Sequence, residues 1–482
     1  MADSGPGDMK LGLEVLKGFG GKLLQAVLGF VGTILFARAL GPRSFGGFYL
    51  LLSLVMLANR PIMGIAVATK KRFAELNANR SEIFGAQLVF NVAIFSTAAI
   101  VVFLLADPIE SYTGVSHSAA LFVILFGSIL TFAPTQELVA GRGKVSAPVW
   151  IDTLRSVFTF PLQLALVLLG FGAAGMVFGL SIATLLCVPI TLYYLRTSPS
   201  APGWETLTSV WKFARYSIGS RLVGRAYDEL DPLLLGFLLT PSVVGYYQVA
   251  YRLTIPGTFV TVIASSGLLA KVSNRDSKGQ GIDADVTNTA AFGSIIAVPM
   301  FFGALAIPEP LIVTAYSAEY IAATELLVGL ALFTIVRTQS ALLGDVLNGL
   351  EMPNIVLRGS AVALVINVAV GVPATLEYGP IGVVVATILA EVFRYGVFFF
   401  VVRSETSATL LPRPLFEQFG AGVVMFGVVE LAHQQIVVDS WVPLLALLAI
   451  GAGVYFVTLG AISNLFRTTV RSLLQDVRHD IS

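Results

Sequence analysis

The chain carries the stretch LGPRSFGGFY at residues 40–49 and a related stretch, LTPSVVGYYQ, at residues 239–248. Both stretches place a proline, a glycine and an aromatic residue at the same spacing, and the matched pairs are Pro42 with Pro241, Gly46 with Gly245, and Phe48 with Tyr247. Each stretch is a short turn between two long apolar runs. Duplicated helical halves are typical of membrane transporters, whose substrate site lies where the halves meet. The repeat therefore predicts a transporter built from two related halves.

A second pair of short turns extends the duplication, because FGAAG at residues 171–175 resembles YGPIG at residues 378–382. Each half then holds six predicted spans. Since six is an even number, the halves have the same orientation and are related by an axis along the membrane normal. The predicted parts are an N-lobe at 1–196, a cytoplasmic linker at 197–212, a C-lobe at 213–403, and two further spans with a cytoplasmic tail at 404–482.

The composition requires lipid as the solvent for most of the chain. Of 482 residues, 56% are hydrophobic and only 12% are charged, and the mean hydropathy is +0.84, whereas a soluble domain carries about 25% charged residues. A span needs about 20 apolar residues, so we expect an all-α, polytopic membrane protein with about fourteen transmembrane helices. The predicted spans are 22–40, 44–69, 83–105, 118–141, 146–169, 173–195, 213–239, 242–268, 286–307, 321–347, 354–376, 380–402, 416–432 and 441–462.

Basic residues predict how the chain is oriented in the membrane. They cluster on one set of span ends and loops, for example at Lys70 and Arg142, whereas the opposite loops carry Arg43. The opposite loops at 107–117 and 308–320 contain acids but neither Lys nor Arg. Because cytoplasmic loops carry the excess of Lys and Arg, we expect both termini to be cytoplasmic in a multi-pass protein of the cell membrane.

Charged residues inside the predicted spans need an explanation, since an arginine at the bilayer centre costs about 2.5–3.5 kcal/mol on insertion scales. Three groups place opposite charges three or four residues apart, where neighbouring helix turns bring them together. We interpret them as ion pairs within one helix, and they are Asp152 with Arg155, Arg225 with Asp228 and Glu229, and Glu391 with Arg394.

Four other arginines, Arg38, Arg60, Arg252 and Arg337, lie in predicted spans without an acid three or four residues away. A guanidinium binds phosphate through two parallel hydrogen bonds, so these arginines are candidates for binding an anionic substrate. Arg38 lies near the outer end of its span, where a long side chain can reach the interface. A salt bridge to another helix is the alternative for each arginine.

The seventh span is unusually polar, and Arg221, Arg225 and Asp228 share one of its faces, which predicts that this face lines a hydrated cavity. The arginines predicted to bind substrate phosphate are Arg60, Arg252, Arg38, Arg221 and Arg225. The acids predicted to bind a coupling ion, either a proton or sodium, are Asp228, Glu229, Asp231 and Glu391. A purely structural charge network is the alternative for the seventh span.

Nothing in the sequence indicates catalysis, so we expect a protein that is not an enzyme and has no cofactor. His117, His433 and His479 are scattered, and Cys187 stands alone, so neither a metal cluster nor an intrachain disulfide is predicted. The phosphate-binding loop pattern G-x-x-x-x-G-K-[ST] is missing. The net charge of +1 gives no reason to expect a nucleic-acid partner.

Four motifs carry a family resemblance. They are LFARALGPRSFG at 35–46, RFAE at 72–75, DPLLLG at 231–236 and VGYYQVAYRL at 244–253. Together they resemble the O-antigen (Wzx-type) flippases, the polysaccharide biosynthesis branch of the multidrug/oligosaccharidyl-lipid/polysaccharide (MOP) exporter superfamily. The hydropathy resemblance covers essentially the whole chain.

The resemblance implies two six-helix lobes that form a V around a central cavity, lined largely by spans one, two, seven and eight. The substrate would be an oligosaccharide linked to polyprenyl or dolichyl phosphate or diphosphate, moved across the membrane by alternating access for surface polysaccharide or glycoprotein assembly. Implied partners are membrane lipids and the glycosyltransferases and polymerase or ligase of the same pathway. Family members often lack an arginine where Arg60 stands, so its assignment rests on the physical argument above.

Other classes explain the sequence less well. A multidrug or small-molecule exporter of the same superfamily would need an acidic, aromatic cavity for cations, and the span arginines argue against that. A major-facilitator carrier would carry a basic G-x-x-x-D-R-x-G-R-type loop, which is missing from residues 70–82. A membrane glycosyltransferase would need a large outer loop with acids or histidine. A non-transporting scaffold remains an alternative, but it leaves the charges in the spans unexplained.

Overall fold

A computed structural model describes the backbone of residues 6–76, 78–144, 146–263, 268, 272 and 281–481. It describes the side chains of the same residues apart from 6–19, 216, 220–226, 228, 473–474 and 476–481. Every regular element in these ranges is a helix, which confirms the predicted all-α class. The chain divides into two compact units, residues 1–245 and residues 246–482.

The first unit holds eight helices and the start of a ninth. They are α1 (Pro6–Ala58), α2 (Arg60–Phe73), α3 (Arg80–Leu104), α4 (Ala106–Thr113), α5 (Ser118–Gly141), α6 (Ser146–Leu166), α7 (Gly172–Leu195) and α8 (Trp204–Leu238), followed by α9 (Pro241–Thr254), which enters the second unit. A π-helical turn at Val167–Phe171 connects α6 with α7.

The second unit continues from α9 through a 3₁₀ turn at Ile255–Thr258. Its further described helices are α10 (Asp283–Phe292), α11 (Ala297–Ala306), α12 (Pro308–Ala315), α13 (Ala323–Gly349), α14 (Pro353–Tyr378), α15 (Pro380–Glu405), α16 (Arg413–His433), α17 (Trp441–Ile462) and α18 (Asn464–Ile481). A second 3₁₀ turn at Ala318–Tyr320 precedes α13.

Ten segments of the described chain are long and apolar enough to cross a membrane. Two of them are long: Gly20–Ala58 has 39 residues and covers the first predicted span and part of the second, and Ser146–Leu195 has 50 residues and covers the fifth and sixth. A 39-residue helix would be about 58 Å long, far more than the hydrocarbon core of about 30 Å. The remaining two predicted spans fall on α8, which carries the charged run of the seventh span, and on the 14-residue helix α9 and the residues after it.

Backbone breaks divide the long segments where the sequence places glycine. Gly41 has φ 67° and ψ 171°, a conformation that only glycine adopts at low cost, and it separates the first predicted span from the second. Asn59 then ends α1, so the second predicted span consists of the last part of α1 followed by α2. Pro61, the second residue of α2, lies next to this break, and a proline inside a predicted span predicts a kink at that place.

The two turns of the second repeated motif have closely similar backbones. Gly172 has φ 58° and ψ −137°, and Gly379, which corresponds to it in the repeat, has φ 68° and ψ −152°. Both glycines stand between the two helices of a hairpin, α6 with α7 and α14 with α15. The duplication therefore extends from the sequence to the backbone conformation of these turns.

The outer surfaces of the helices are apolar. Leu104 and Val442 are both 78% exposed, and Leu168 and Leu169 behave similarly. Such surfaces would drive aggregation in water but suit a bilayer, where lipid surrounds apolar side chains and a helix satisfies the backbone polar groups of its interior. The structure therefore agrees with the predicted multi-pass membrane protein.

The first compact unit extends beyond the predicted N-lobe. It includes residues 197–212, predicted as a linker, and α8, which the sequence repeat assigns to the C-lobe. Compact packing and sequence repetition are different criteria, so the predicted lobe boundaries stay a prediction.

The connection between α7 and α8 is fastened to the rest of the first unit. The Ser200 amide donates to the Ser81 carbonyl at 3.0 Å, and the Thr206 hydroxyl donates to Glu82 Oε2 at 2.8 Å, both at the start of α3. The Arg142 guanidinium donates to the Arg196 carbonyl at 3.1 Å. The backbone of Ser200 lies so close to Gly85 that a side chain there would collide with its carbonyl oxygen.

Candidate functional site

The predicted second span contacts the seventh span and the turn that follows it at three levels within the first unit. At the first level, the repeated turns meet. A Cβ atom on Gly46 would lie 2.8 Å from the Pro241 carbonyl carbon, and a Cβ atom on Gly245 would lie 3.0 Å from the Pro42 carbonyl carbon. Such distances are shorter than ordinary Cβ contacts, so both positions must be glycine for the turns to approach this closely.

At the middle level, polar groups from the two spans meet. The Ser53 hydroxyl on α1 donates to Glu229 Oε2 on α8 at 2.8 Å. Asn59 and Arg60, where α1 ends and α2 begins, are 5% and 9% exposed, and Asp231 on α8 is 4% exposed. The two spans therefore carry a buried guanidinium, a buried carboxylate, and a carboxylate that accepts a hydrogen bond from a hydroxyl group.

At the third level, furthest from the repeated turns, α2 packs closely on α8. The Ser217 hydroxyl donates to the Gly64 carbonyl at 2.8 Å, and a Cβ atom on Gly64 would lie 2.5 Å from Ile218 Cγ1. Lys71 Nζ lies 4.6 Å from the centre of the Phe213 ring. Small residues allow membrane helices to approach in this way.

The predicted phosphate-binding arginines are distributed over both units. Arg60 is buried and Arg38 is exposed, and both belong to the first unit. Arg252 is half-buried on α9 in the second unit. The side chains of Arg221 and Arg225, like that of the predicted ion-binding Asp228, lie outside the described residues.

Two of the predicted ion pairs within one helix are confirmed. Arg155 Nη2 lies 2.7 Å from Asp152 Oδ1, and Arg394 Nη2 lies 2.6 Å from Glu391 Oε1. The third predicted group depends on Arg225 and Asp228 and lies outside the described side chains.

The environments of the two confirmed pairs differ. Glu391 is fully buried, and Arg394 also donates from Nε to the Ser340 hydroxyl at 3.2 Å. The Asp152 side chain is 41% exposed. A buried ion pair is costly to disrupt because removal of one partner leaves the other charge in an apolar environment.

The second unit contains a buried polar cluster that the sequence did not predict. Gln339 Nε2 donates to the Ala290 carbonyl at 3.2 Å and to the Ser294 hydroxyl at 2.7 Å, and that hydroxyl lies 3.1 Å from the Thr338 hydroxyl. A signal was present in the sequence, since Thr338 and Gln339 are adjacent polar residues inside an apolar span.

Aromatic residues after the second repeated turn pack on one another. Tyr247 stacks on Tyr251 with ring centres 6.0 Å apart, and Tyr246 meets Tyr320 edge to face at 6.1 Å. Among the described residues, no group of three or more His, Cys, Asp or Glu side chains is placed to hold a metal ion.

Comparison of folds defines the class of protein. The chain is similar to a structure of the lipid II flippase MurJ in an inward closed conformation, with a TM-score of 0.80 and 16% identity, over 94% of this chain and all of that one. It is also similar to an inward-facing multidrug resistance MATE family transporter of the MOP superfamily, with a TM-score of 0.63 and 16% identity, over 80% of this chain and 96% of that one. The chain therefore has the helical fold that these two transporters share.

The sequence places the chain within that class. The profile of the polysaccharide biosynthesis protein family matches residues 35–325, so the chain belongs to this family. Two curated relatives come from Haloferax volcanii. The probable flippase AglR is 25% identical over 95% of this chain and 97% of its own length, and the probable low-salt glycan biosynthesis flippase Agl15 is 25% identical over 79% of this chain and 81% of its own length.

Proposed function

We propose that the protein is a flippase that moves a lipid-linked oligosaccharide across the cell membrane by alternating access, for surface polysaccharide or glycoprotein assembly. The observation that carries the proposal is the family match over residues 35–325, which includes both repeated turns and the candidate residues Arg38, Arg60 and Arg252. The transporter fold and the names of the Haloferax relatives support it. Because a fold hosts several functions, the substrate class has to be argued from the site.

In this proposal the substrate phosphate or diphosphate is bound by arginines. Arg60 is the strongest candidate of the set. Its guanidinium is buried inside a predicted span, and its helix α2 contacts the polar helix α8. Arg252, Arg38, Arg221 and Arg225 complete the proposed set. Arginine suits this task because its planar fork matches a phosphate with two hydrogen bonds.

A coupling ion, either a proton or sodium, is proposed to bind at acids of the seventh span and of α15. Of the four candidates Asp228, Glu229, Asp231 and Glu391, Glu229 accepts a hydrogen bond from Ser53 and Glu391 is paired with Arg394. Asp231 is buried. Carboxylates placed inside a membrane protein are typical of ion relays in transporters.

The excess of basic residues on one set of loops and the names of the Haloferax relatives support the following setting. The protein resides in the cell membrane with both termini in the cytoplasm, and it has no enzymatic activity of its own. It receives its substrate from glycosyltransferases of the pathway and delivers it to a polymerase or ligase.

An ion-coupled multidrug or small-molecule exporter is the second candidate function. Similarity to the MATE fold and the acids Glu229 and Asp231 favour it. The two candidates differ in substrate charge, since an exporter of organic cations has no use for buried arginines, whereas a phosphate carrier depends on them.

The decisive experiment follows a fluorescent lipid-linked oligosaccharide in proteoliposomes, with an external quencher reporting which leaflet holds it. Wild type is compared with Arg60→Ala, Arg252→Ala and the control Arg403→Ala, which removes an exposed arginine at the end of α15. We expect Arg60→Ala and Arg252→Ala each to lower the rate by about tenfold or more, because hydrogen bonds to charged groups contribute about 1.5–3 kcal/mol. The control should match wild type.

Two results would change the proposal. Wild-type rates in both Arg60→Ala and Arg252→Ala would remove the arginine site. A folded wild-type protein that moves a fluorescent organic cation but no lipid-linked oligosaccharide, under proton and sodium gradients, would establish the exporter instead.

A further inference from the structure

The contact between the two repeated turns is reciprocal. Gly46 of the first turn faces Pro241 of the second, and Gly245 of the second faces Pro42 of the first. In the sequence repeat the two prolines correspond to each other, and so do the two glycines. Each glycine thus contacts the residue that corresponds to the proline of its own turn. Segments that contact each other in this exchanged way are related by a local two-fold axis, as at the interface of a symmetric dimer.

The contact depends on backbone proximity. A Cβ atom on Gly46 would lie 2.7 Å from the Gly245 amide nitrogen, and one on Gly245 would lie 3.1 Å from Pro42 Cα. Glycine therefore sets how closely the turns approach, as small residues do where membrane helices cross.

Helix α4 braces this contact from one side. The Tyr112 hydroxyl donates to the Leu233 carbonyl on α8 at 2.8 Å, and burial raises the pKa of this hydroxyl above its ordinary value, so it stays protonated. A Cβ atom on Gly47 would lie 2.5 Å from the Thr113 carbonyl oxygen, and one on Gly114 would lie 3.3 Å from Pro241 Cγ. The first turn, the second turn and the end of α4 thus form one closely packed group.

We propose that the reciprocal contact of Gly46 and Gly245 is an outer latch: it holds the outer ends of the second and eighth spans together and separates when the protein opens to the outside. Both turns fall on the predicted outer side of the membrane. The latch closes only if both positions lack a side chain, whereas each helix folds without that requirement. A methyl group at either position therefore shifts the protein toward the open arrangement. Only the role of the latch in transport rests on the proposed function.

The test reads accessibility and needs no substrate. Val244 is fully buried beside Gly245, so Val244→Cys in a Cys187→Ala background provides one reporter thiol. Right-side-out membrane vesicles are treated with a membrane-impermeant maleimide, and the labelling rate is compared between this background and the same background with Gly46→Ala or Gly245→Ala. The matched control is Gly29→Ala, which lies on α1 with no atom within 4 Å of the added Cβ.

We expect Gly46→Ala and Gly245→Ala each to raise the labelling rate by about tenfold, and Gly29→Ala to leave it unchanged. Labelling as slow as the background in both folded variants would overturn the latch. Failure of both variants to fold, seen by size-exclusion chromatography of purified protein, would also overturn it, because the contact would then be part of the structure rather than a switch. Faster labelling in a protein that moves no lipid-linked oligosaccharide would keep the latch and remove the proposed function.

Discussion

The hairpin of α6 and α7 and the hairpin of α14 and α15 carry the same repeated turn motif, and their turns are alike whereas their ion pairs are not. Gly172 and Gly379 have nearly the same φ and ψ. The ion pairs on these hairpins differ: Asp152 with Arg155 is partly exposed, whereas Glu391 with Arg394 is buried. The comparison indicates that both copies keep the backbone conformation of the turn, whereas the charged residues were placed separately in each copy.

The largest difference in stability between the two hairpins should come from removing the acid of each ion pair. Glu391→Gln leaves the Arg394 guanidinium in a buried site, so we expect the free energy of unfolding to fall by about 3–5 kcal/mol. Asp152→Asn, in the exposed pair, should cost about 0.2–1 kcal/mol. Thermal and denaturant unfolding of the purified protein in detergent measures both values.

The double variant Glu391→Gln with Arg394→Met is the control, since removal of both charges should restore most of the lost stability. Equal losses for Glu391→Gln and Asp152→Asn would show that burial does not distinguish the two copies.

Alanine in place of the glycine three residues after each turn glycine should cause the next largest loss of stability. The loss should again differ between the two hairpins. A Cβ atom on Gly382 would collide with the Ala374 carbonyl group and lie 2.5 Å from the Thr375 amide, whereas one on Gly175 would lie 3.0 Å from the Leu166 carbonyl carbon. Overpacking costs about 1–3 kcal/mol, so we expect Gly382→Ala at the upper end of that range and Gly175→Ala at the lower end.

The matched control for this pair is Gly396→Ala, on the same helix as Gly382 and with no atom within 4 Å of the added Cβ. It should unfold like wild type. A larger loss for Gly175→Ala than for Gly382→Ala in the same unfolding assay would contradict the packing argument.

The smallest effects should be equal in the two copies. Neither Gly172 nor Gly379 has an atom within 4 Å of an added Cβ, so alanine at either position is opposed by backbone conformation alone. We expect about 1–2 kcal/mol for each of Gly172→Ala and Gly379→Ala. Unfolding free energies that differ by more than the measured error would show that the two turns are not conformational equivalents.

Much of the fold could be predicted because its signals are local. Apolar runs located the spans, and charges three residues apart correctly paired Asp152 with Arg155 and Glu391 with Arg394. The division of the second span at Asn59 also has a local signal, because Pro61 stands two residues further on and a proline inside a span predicts a kink.

The candidate site was less predictable, because its contacts join residues far apart in the chain. Nothing in the spacing of Ser53 and Glu229 indicates that the two side chains meet, and the same holds for Ser217 and the Gly64 carbonyl. The repeat did reveal that Gly46 and Gly245 correspond to each other. Correspondence alone does not say that two positions touch, and only the structure brought the turns together.

The connection between α7 and α8 restrains the start of α8. Ser200 is bonded to Ser81 and Thr206 to Glu82, so the start of α8 and the start of α3 are tied together. Any displacement of the start of α8 must therefore either break these hydrogen bonds or carry the start of α3 with it. The connection couples the start of α8 to the start of α3. A peptide tag inserted at residues 198–203 would therefore uncouple these two helices in addition to lengthening the loop.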